Sequence, residues 1–566
     1  MSRPSDHIDS PAPSPRGDGV AQPRLGPIGY LRFFWRQLTS MRTALFLLLL
    51  LAIAAVPGSL FPQRSSDPNG VTLYFSNNKG LAPALDKLQL FDVYTSAWFS
   101  AIYLLLFISL IGCVIPRTIF HAKALASPPP KTPARLERLG AFSAFEVAPN
   151  QTDAAGNPIT AASATEAARA MLRKSGYRVK LFDGPESAGG PALSVSSERG
   201  YLRETGNLVF HIALIGILLS VGIGGGFGYT GQKVLVTGQA FANVRLTYDS
   251  FSPGRFFTDS ALVPYRLILN KFTAKYEEQN LNAYGQPIDY TANVTTYDEA
   301  GTPTKAVIKV NDPLRIGGNE IYLLGNGYAP SVTVRDPDGK VVFSEAVPFL
   351  PQDANLTSIG IVKVPDGLST QLGMRAFFYP TASKTSAGTF ASTHPDLRNP
   401  MLSLVLYTGD LGINKGAPKS VYSLDTDKMT EIAGPGAASR TSALRLKPGE
   451  TTQIPGGLGS ITFDNTAPRS SPNNLEQSVP RFASLDVHRD PTQGWVLFFA
   501  ICVLAGLLTS LFIPRRRVWV KAIEQQDGSI RLEYAGLARG EDPGLETAVA
   551  DIAERHSRRL GLKLTS

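Results

Sequence analysis

At 566 residues, 43% of them hydrophobic and 18% charged, the chain has room for about three domains by the usual length prior, and its +9 net charge is concentrated rather than spread. Only two cysteines are present, Cys113 and Cys502, both inside uncharged apolar runs, so no CxxC pair is available for thiol–disulfide exchange. HExxH, P-loop and GxSxG sequences are also absent, which leaves no self-contained catalytic site.

Residues 1–42 read as a disordered cytoplasmic lead. Its first 25 residues are rich in Pro, Ser, Asp and Gly without apolar periodicity, so they cannot bury enough surface to order themselves. Crossing a bilayer core takes roughly 20 apolar residues, and four segments qualify: 43–61, 93–116, 205–227 and 491–513. The first is read as a retained helix rather than a cleaved signal, because Phe61-Pro62-Gln63 lacks a small-x-small cleavage pattern.

Lys and Arg flanking a membrane helix are retained on the cytoplasmic side. Residues 1–42 hold six basic against three acidic residues, 117–206 twelve against eight, and 514–566 ten against eight. The loop 62–92 and the long segment 228–493 are balanced, so the whole excess lies on one side. Both termini and the middle loop are therefore expected in the cytoplasm, with 62–92 as a short external loop and 228–490 as a large extracytoplasmic domain. The basic pI reports topology, not nucleic-acid binding.

The middle loop, 117–204, opens with the stiff tract Pro128 to Pro130. Its expected elements are strands at Ala141 to Val147, Tyr177 to Phe182 and Ala192 to Ser197, with a helix at Thr160 to Lys174. In the tail, 514–566, strands Val518 to Ile523 and Ile530 to Tyr534 flank the turn Gln526-Asp527-Gly528, and Gly544 to Leu560 has helical amphipathicity. Two- or three-stranded sheets are marginal alone, so loop and tail are expected to combine into one small split α+β domain.

The external segment reads as strands almost throughout, among them Lys233 to Val236, Asn243 to Tyr248, Tyr265 to Phe272, Tyr290 to Thr296, Gly360 to Val364 and Leu402 to Tyr407. Val332 to Val334 and Val341 to Phe343 flank the turn Asp336-Pro337-Asp338-Gly339. The expected fold class is an integral membrane α-helical protein with an all-β, sandwich-like external domain.

Six histidines sort by depth. His7 lies in the lead, His121 just past the second membrane segment, His394 in a polar external loop and His556 in the tail helix, and all four are expected to be structural. His211 stands about two turns into the third membrane segment, where an ionisable group is costly and usually faces a partner or a pathway. His488 ends a strand just above the outer mouth of the fourth. One imidazole near the inner leaflet and one at the outer surface suit an apolar cargo taken up by histidine, and haem iron accepts such ligands.

The motifs Leu38-Thr-Ser-Met-Arg-Thr-Ala-Leu45, Leu90-Phe-Asp-Val-Tyr-Thr-Ser-Ala-Trp-Phe99, Cys113-Val-Ile-Pro-Arg117, Gly206-Asn-Leu-Val-Phe-His211, Val310-Asn-Asp-Pro-Leu-Arg315 and Gly327-Tyr-Ala-Pro330 are similar, in order, to those of the ResB (CcsB) proteins of System II cytochrome c biogenesis. The resemblance implies a bacterial plasma-membrane subunit that exports haem b and supports its attachment to CxxCH of apocytochrome c. It implies a ResC/CcsA-type Trp-rich, haem-handling membrane partner, with a membrane thioredoxin-like reductant acting indirectly, and membership of a haem-lyase (cytochrome c synthase) complex at most. His211 is implied as an intramembrane haem-iron ligand completed by a partner histidine, and His488 as a haem contact at the external face. The four tryptophans, Trp35, Trp98, Trp495 and Trp519, are expected at membrane boundaries, so the Trp-rich motif must come from the partner. The alternative reading is a non-haem scaffold or receptor presenting the β domain.

Overall fold

The computed structural model describes residues 26–153, 155–183, 192–386, 388–412, 424–438 and 441–562. Most of the expected disordered lead and His7 fall outside them. The helices are α1 (Pro27–Leu38), α2 (Met41–Leu60), α3 (Pro68–Asn77), α4 (Ala82–Lys87), α5 (Ala97–Ala126), α6 (Ala161–Lys174), α7 (Leu202–Phe227), α8 (Gln493–Phe512) and α9 (Leu545–Arg559). Among the described residues, α2, α5, α7 and α8 are long and apolar enough to cross a membrane.

Two boundaries differ from expectation. The lead is not disordered to residue 42, because Pro27 at the first helical position starts α1. The second apolar helix does not stop at Pro116 but continues ten residues to Ala126. A proline inside a helix removes one backbone donor, and the strong helix formers that follow it here carry the helix on.

The described residues divide into two compact units, the first falling within 1–62, 78–219 and 495–566 and the second within 63–77 and 220–494. In the first, one five-stranded antiparallel sheet runs in the order Ala141–Val147, Ile530–Ala538, Arg516–Glu524, Ala192–Arg199, Arg178–Asp183. Loop and tail strands interleave, with Val147 opposite Ile530 and Trp519 opposite Ser196. A Thr160–Ser163 capping box starts α6. Residues of α6 and α9, such as Leu172 and Ile552, share a core with Val195, Val520, Leu532 and Tyr534. Each large apolar side chain so buried contributes about 1.5–3 kcal/mol, which neither fragment could collect alone. Trp519 corrects an expectation: it is no interfacial ring but is buried against Leu136 and Ala535, because the strand alternation points it to the sheet face opposite α6 and α9, which the Leu136–Arg138 turn covers.

The second unit is β-rich with antiparallel strand ladders, as expected, and its described residues pack into two large cores and a small cluster of Val236, Ala329 and Phe482. In the first core, the five-stranded sheet containing Tyr229–Val236, Asn319–Tyr328 and Arg481–Arg489 packs Leu235, Ile321 and Leu485 with Leu267, Val294 and Ile308 of a four-stranded sheet. In the second, Val332, Val334, Ile461 and Phe463 pack with Val362, Met374, Phe378, Leu402 and Leu404 of a six-stranded sheet. Strand Ser358–Val364 buries every second residue, the period expected of a sheet with one packed face. The Asp336 turn forms as its sequence predicts: Asp336 Oδ1 accepts from the N–H groups of Asp338 at 3.0 Å and Lys340 at 2.8 Å, and Gly339 takes φ of 83°.

Asn243 to Tyr248 is not a strand. Pairing ends at Ala242, and Arg245–Thr247 forms a 3-10 turn. Side chains outcompete the ladder here: Tyr248 donates to Asn243 Oδ1 at 2.6 Å, Asn243 Nδ2 to the Val263 carbonyl at 2.9 Å and Thr247 Oγ1 to the Ala242 carbonyl at 2.5 Å.

Candidate functional site

Residue 211 is reached through a helix held unusually close to a neighbour. A Cβ on Gly206 would lie 2.8 Å from the Gly506 carbonyl oxygen, and one on Gly506 would lie 2.6 Å from the Phe210 nitrogen. Only glycine lets α7 and α8 approach this far, and the contact sits one turn from His211. The imidazole is half-buried, with the Phe210 ring edge-on at 5.0 Å. His211 Nδ1 lies 2.7 Å from the Asn207 carbonyl oxygen one turn back. A carbonyl only accepts, so Nδ1 carries a proton, and in the neutral ring the lone pair is on Nε2. No described residue hydrogen-bonds Nε2. A neutral imidazole oriented by a backbone carbonyl through one nitrogen, with the other open, is the form in which histidine ligates a metal.

The other histidine of the apolar helices is committed elsewhere. His121, near the end of α5, is buried with Nε2 3.0 Å from Thr205 Oγ1 and Nδ1 3.3 Å from Glu204 Oε2. Glu204 also receives Arg515 and Arg539, while buried Glu198 receives Arg517 and Tyr201. This network ties the first turn of α7 to the strand after α8. It was not legible in the sequence, because its members come from four separate segments.

His488 stands in the second unit, on the central strand Arg481–Arg489, opposite Glu320 on one side and Thr230 on the other. Its side chain is 45% exposed and lines a cleft of about 470 Å³ with Gly318, Glu320, Tyr322, Asp486, Asp490 and Gln493. Its Nε2 is 2.7 Å from Asp486 Oδ2 and its Nδ1 3.4 Å from Thr230 Oγ1. The hydrogen bond to Asp486 raises the imidazole's pKa above its ordinary value, and burial opposes this only in part. Glu320 is held below the usual carboxylate range by the Tyr322 hydroxyl, which donates at 2.6 Å, and by Arg315 at 2.8 Å. Both ring nitrogens of His488 are thus engaged, and Glu320, Asp486 and Asp490 set three carboxylates around it.

His394 is not in a solvated polar loop. It is 2% exposed, between the Tyr276 and Tyr284 rings. Glu278, His394 and Asp396 offer donor atoms within 4.8 Å of one another. Arg398 already neutralises Glu278 at 2.7 Å, and Arg481 neutralises Asp396 at 2.8 Å. His394 Nδ1 accepts from the Asp396 N–H at 3.1 Å, which leaves the proton on Nε2. Both carboxylates of the cluster are thus paired with arginines that pin the loop. His556 is structural too: it is fully buried and bonded at both nitrogens, to the Tyr534 hydroxyl at 2.6 Å and the Ala164 carbonyl at 2.9 Å.

A model of the ResB-like family matches residues 41–550. Cytochrome c biogenesis protein CcsB of Prochlorococcus marinus strain MIT 9301 is 23% identical over 528 residues, covering 92% of this chain and 97% of the relative. The protein of the same name from strain AS9601 is 27% identical over 521 residues, 89% and 93% of the two chains. With that of strain NATL1A the similarity is 26% over 294 residues, and it spans 50% of this chain and 59% of the relative.

Proposed function

The chain belongs to the ResB-like family, and from that premise we propose that it is a membrane subunit of a System II cytochrome c biogenesis complex that passes haem b across the bilayer. The cargo's iron is taken by His211 Nε2. A histidine of the ResC/CcsA-type partner supplies the second axial position, since His121, the other histidine of the apolar helices, is buried near the end of α5 with Nε2 on Thr205 Oγ1 and Nδ1 beside Glu204. The partner's Trp-rich face then presents haem to CxxCH of apocytochrome c, and a thioredoxin-like reductant keeps those thiols reduced.

The distribution of Lys and Arg supports cytoplasmic termini, a cytoplasmic loop-and-tail domain and an external β region. The single observation that carries the reading is the His211 geometry: Nδ1 is tied to Asn207 at 2.7 Å and Nε2 is free, on a helix long and apolar enough to cross a membrane. His488 enters as a second contact at the outer face, open to iron only once Nε2 leaves Asp486.

The test is His211→Ala in the complex purified with its partner. The reading expects a loss of haem and a changed absorption spectrum, with partial recovery on added imidazole. An unchanged spectrum and haem content would sink the ligand assignment. Normal c-type cytochrome assembly in a strain lacking the whole chain would sink the biogenesis role and favour a scaffold.

A further inference from the structure

Among the described residues, most of the apolar surface of α1 is left uncovered. No residue of this helix is buried, and Ile28 is 77% exposed, Leu31 69%, Phe34 62% and Trp35 52%. At 100° per residue, Tyr30, Phe34, Leu38, Leu31, Trp35 and Ile28 form one continuous arc, and Gly29, Arg32, Arg36 and Gln37 lie opposite, interrupted by Phe33 alone. A water-exposed helix cannot keep such an arc without a cover.

The placement of α1 says what covers it. Its last turn is joined to the membrane-crossing helix α2 by Thr39 and Ser40 alone, and Ser40 takes an extended conformation while its side chain caps α2. The elbow is seated on α5: Ser109 Oγ donates to the Leu38 carbonyl at 2.6 Å, and Cys113 Sγ to the Thr39 carbonyl at 2.8 Å. A Cβ on Gly112 would run into Thr39. The elbow is thus fixed against two apolar helices. From it runs a helix about 18 Å long with four aromatic residues in twelve and two arginines one turn apart.

We infer that α1 lies flat in the membrane interface, with its aromatic arc among the upper acyl chains and Arg32 and Arg36 on anionic headgroups. Trp and Tyr settle at this depth because one edge of the ring is apolar and the other carries a donor, and a basic polar face adds attraction to anionic lipid. The helix acts as a float that sets the height of α2 and, through the elbow, of α5. That the leaflet is the cytoplasmic one rests on the topology proposed above; the interfacial seat does not.

The test uses the full chain in nanodiscs, with Trp98→Phe, Trp495→Phe and Trp519→Phe leaving Trp35 as the reporter. Because Trp519 is buried, the difference between the parent protein and Trp35→Phe supplies the same signal if the triple variant fails to fold. Trp35 should be quenched more by lipids brominated near the carboxyl end of the acyl chain than near the methyl end, and little by aqueous iodide. Its emission should lie further to the blue in an equal mixture of phosphatidylcholine and phosphatidylglycerol than in phosphatidylcholine alone, a difference that Arg32→Gln/Arg36→Gln abolishes. Free quenching by iodide, or protection that appears only when the partner protein is added, overturns the interfacial seat. Identical emission in the two lipids overturns the anionic-headgroup contact. Haem content plays no part in these readouts, so a failed haem assignment leaves them standing.

Discussion

His556 is the point at which the split loop-and-tail domain can be tested by pH. It joins three pieces of chain: its own helix α9, Tyr534 of the tail strand and Ala164 of α6 in the middle loop. The carbonyl of Ala164 accepts, so Nε2 carries the proton, and Nδ1 accepts from the Tyr534 hydroxyl. Both nitrogens are satisfied only in the neutral ring. A second proton would face the tyrosine and place a charge in the core, and burial accordingly lowers the pKa from 6.5 to about 4. Above pH 6.5 folded and unfolded chains are both neutral here and the domain has its full stability. As pH falls below 6.5 the unfolded imidazole binds a proton that the folded one refuses, so stability is lost down to about pH 4. At about 1.4 kcal/mol per unit of pKa, the total is about 3 kcal/mol, of which about 2 kcal/mol is lost between pH 7.5 and 5.

Hydrogen exchange of amides in strand Ile530–Ala538 and α9, followed on the full chain at the two pH values, reads this locally. His556→Phe should cost about 1–3 kcal/mol at pH 7.5 through the unpaired tyrosine and carbonyl, but should remove the acid-dependent part. If the variant keeps the parent's pH slope, the histidine is not its source. If tail amides exchange independently of the middle loop, the domain is not cooperative across the two segments.

Two further outcomes are expected. Because the Asp486 hydrogen bond raises the pKa of His488, the pair's stabilisation is complete below pH 6.5 and is lost as pH rises through the elevated value; Asp486→Asn should therefore make His488 more reactive towards diethyl pyrocarbonate at neutral pH, and equal reactivity would remove Asp486 as the cause. Gly506→Val should force α7 and α8 apart, costing about 1–3 kcal/mol and lowering the haem-to-protein ratio of the complex, whereas Gly494→Ala, which meets no atom within 4 Å, should do neither; an unchanged ratio in Gly506→Val would separate the helix contact from His211.

Several features needed only one-dimensional patterns. A run of about 20 apolar residues has no stable place except a bilayer or a protein core, so α2, α5, α7 and α8 were legible to within a few residues, apart from the continuation of α5 past Pro116. Alternation with period two, broken by turns such as Asp336 to Gly339, marked most strands. The place of His211 within α7 followed from counting turns. What the sequence by itself determined was therefore local: periodicity, apolar length and charge placement.

Tertiary structure decided what depends on residues distant in the chain. Pairing of Trp519 with Ser196 buried a ring expected at the membrane surface, and loop and tail had to share one sheet before either could hide an apolar face. The division of the β region into two cores depended on which sheets face one another, which periodicity cannot say. For the two site histidines the deciding contacts differ in range: the Asn207 carbonyl that frees Nε2 of His211 is one helical turn away, whereas the Gly206–Gly506 approach that positions it spans 300 residues of sequence. At His488 the proton is held by Asp486, two residues back, because a strand returns i and i+2 to one face, yet the cleft around it exists only because strands Asn319–Tyr328 and Arg481–Arg489, distant in the chain, lie side by side.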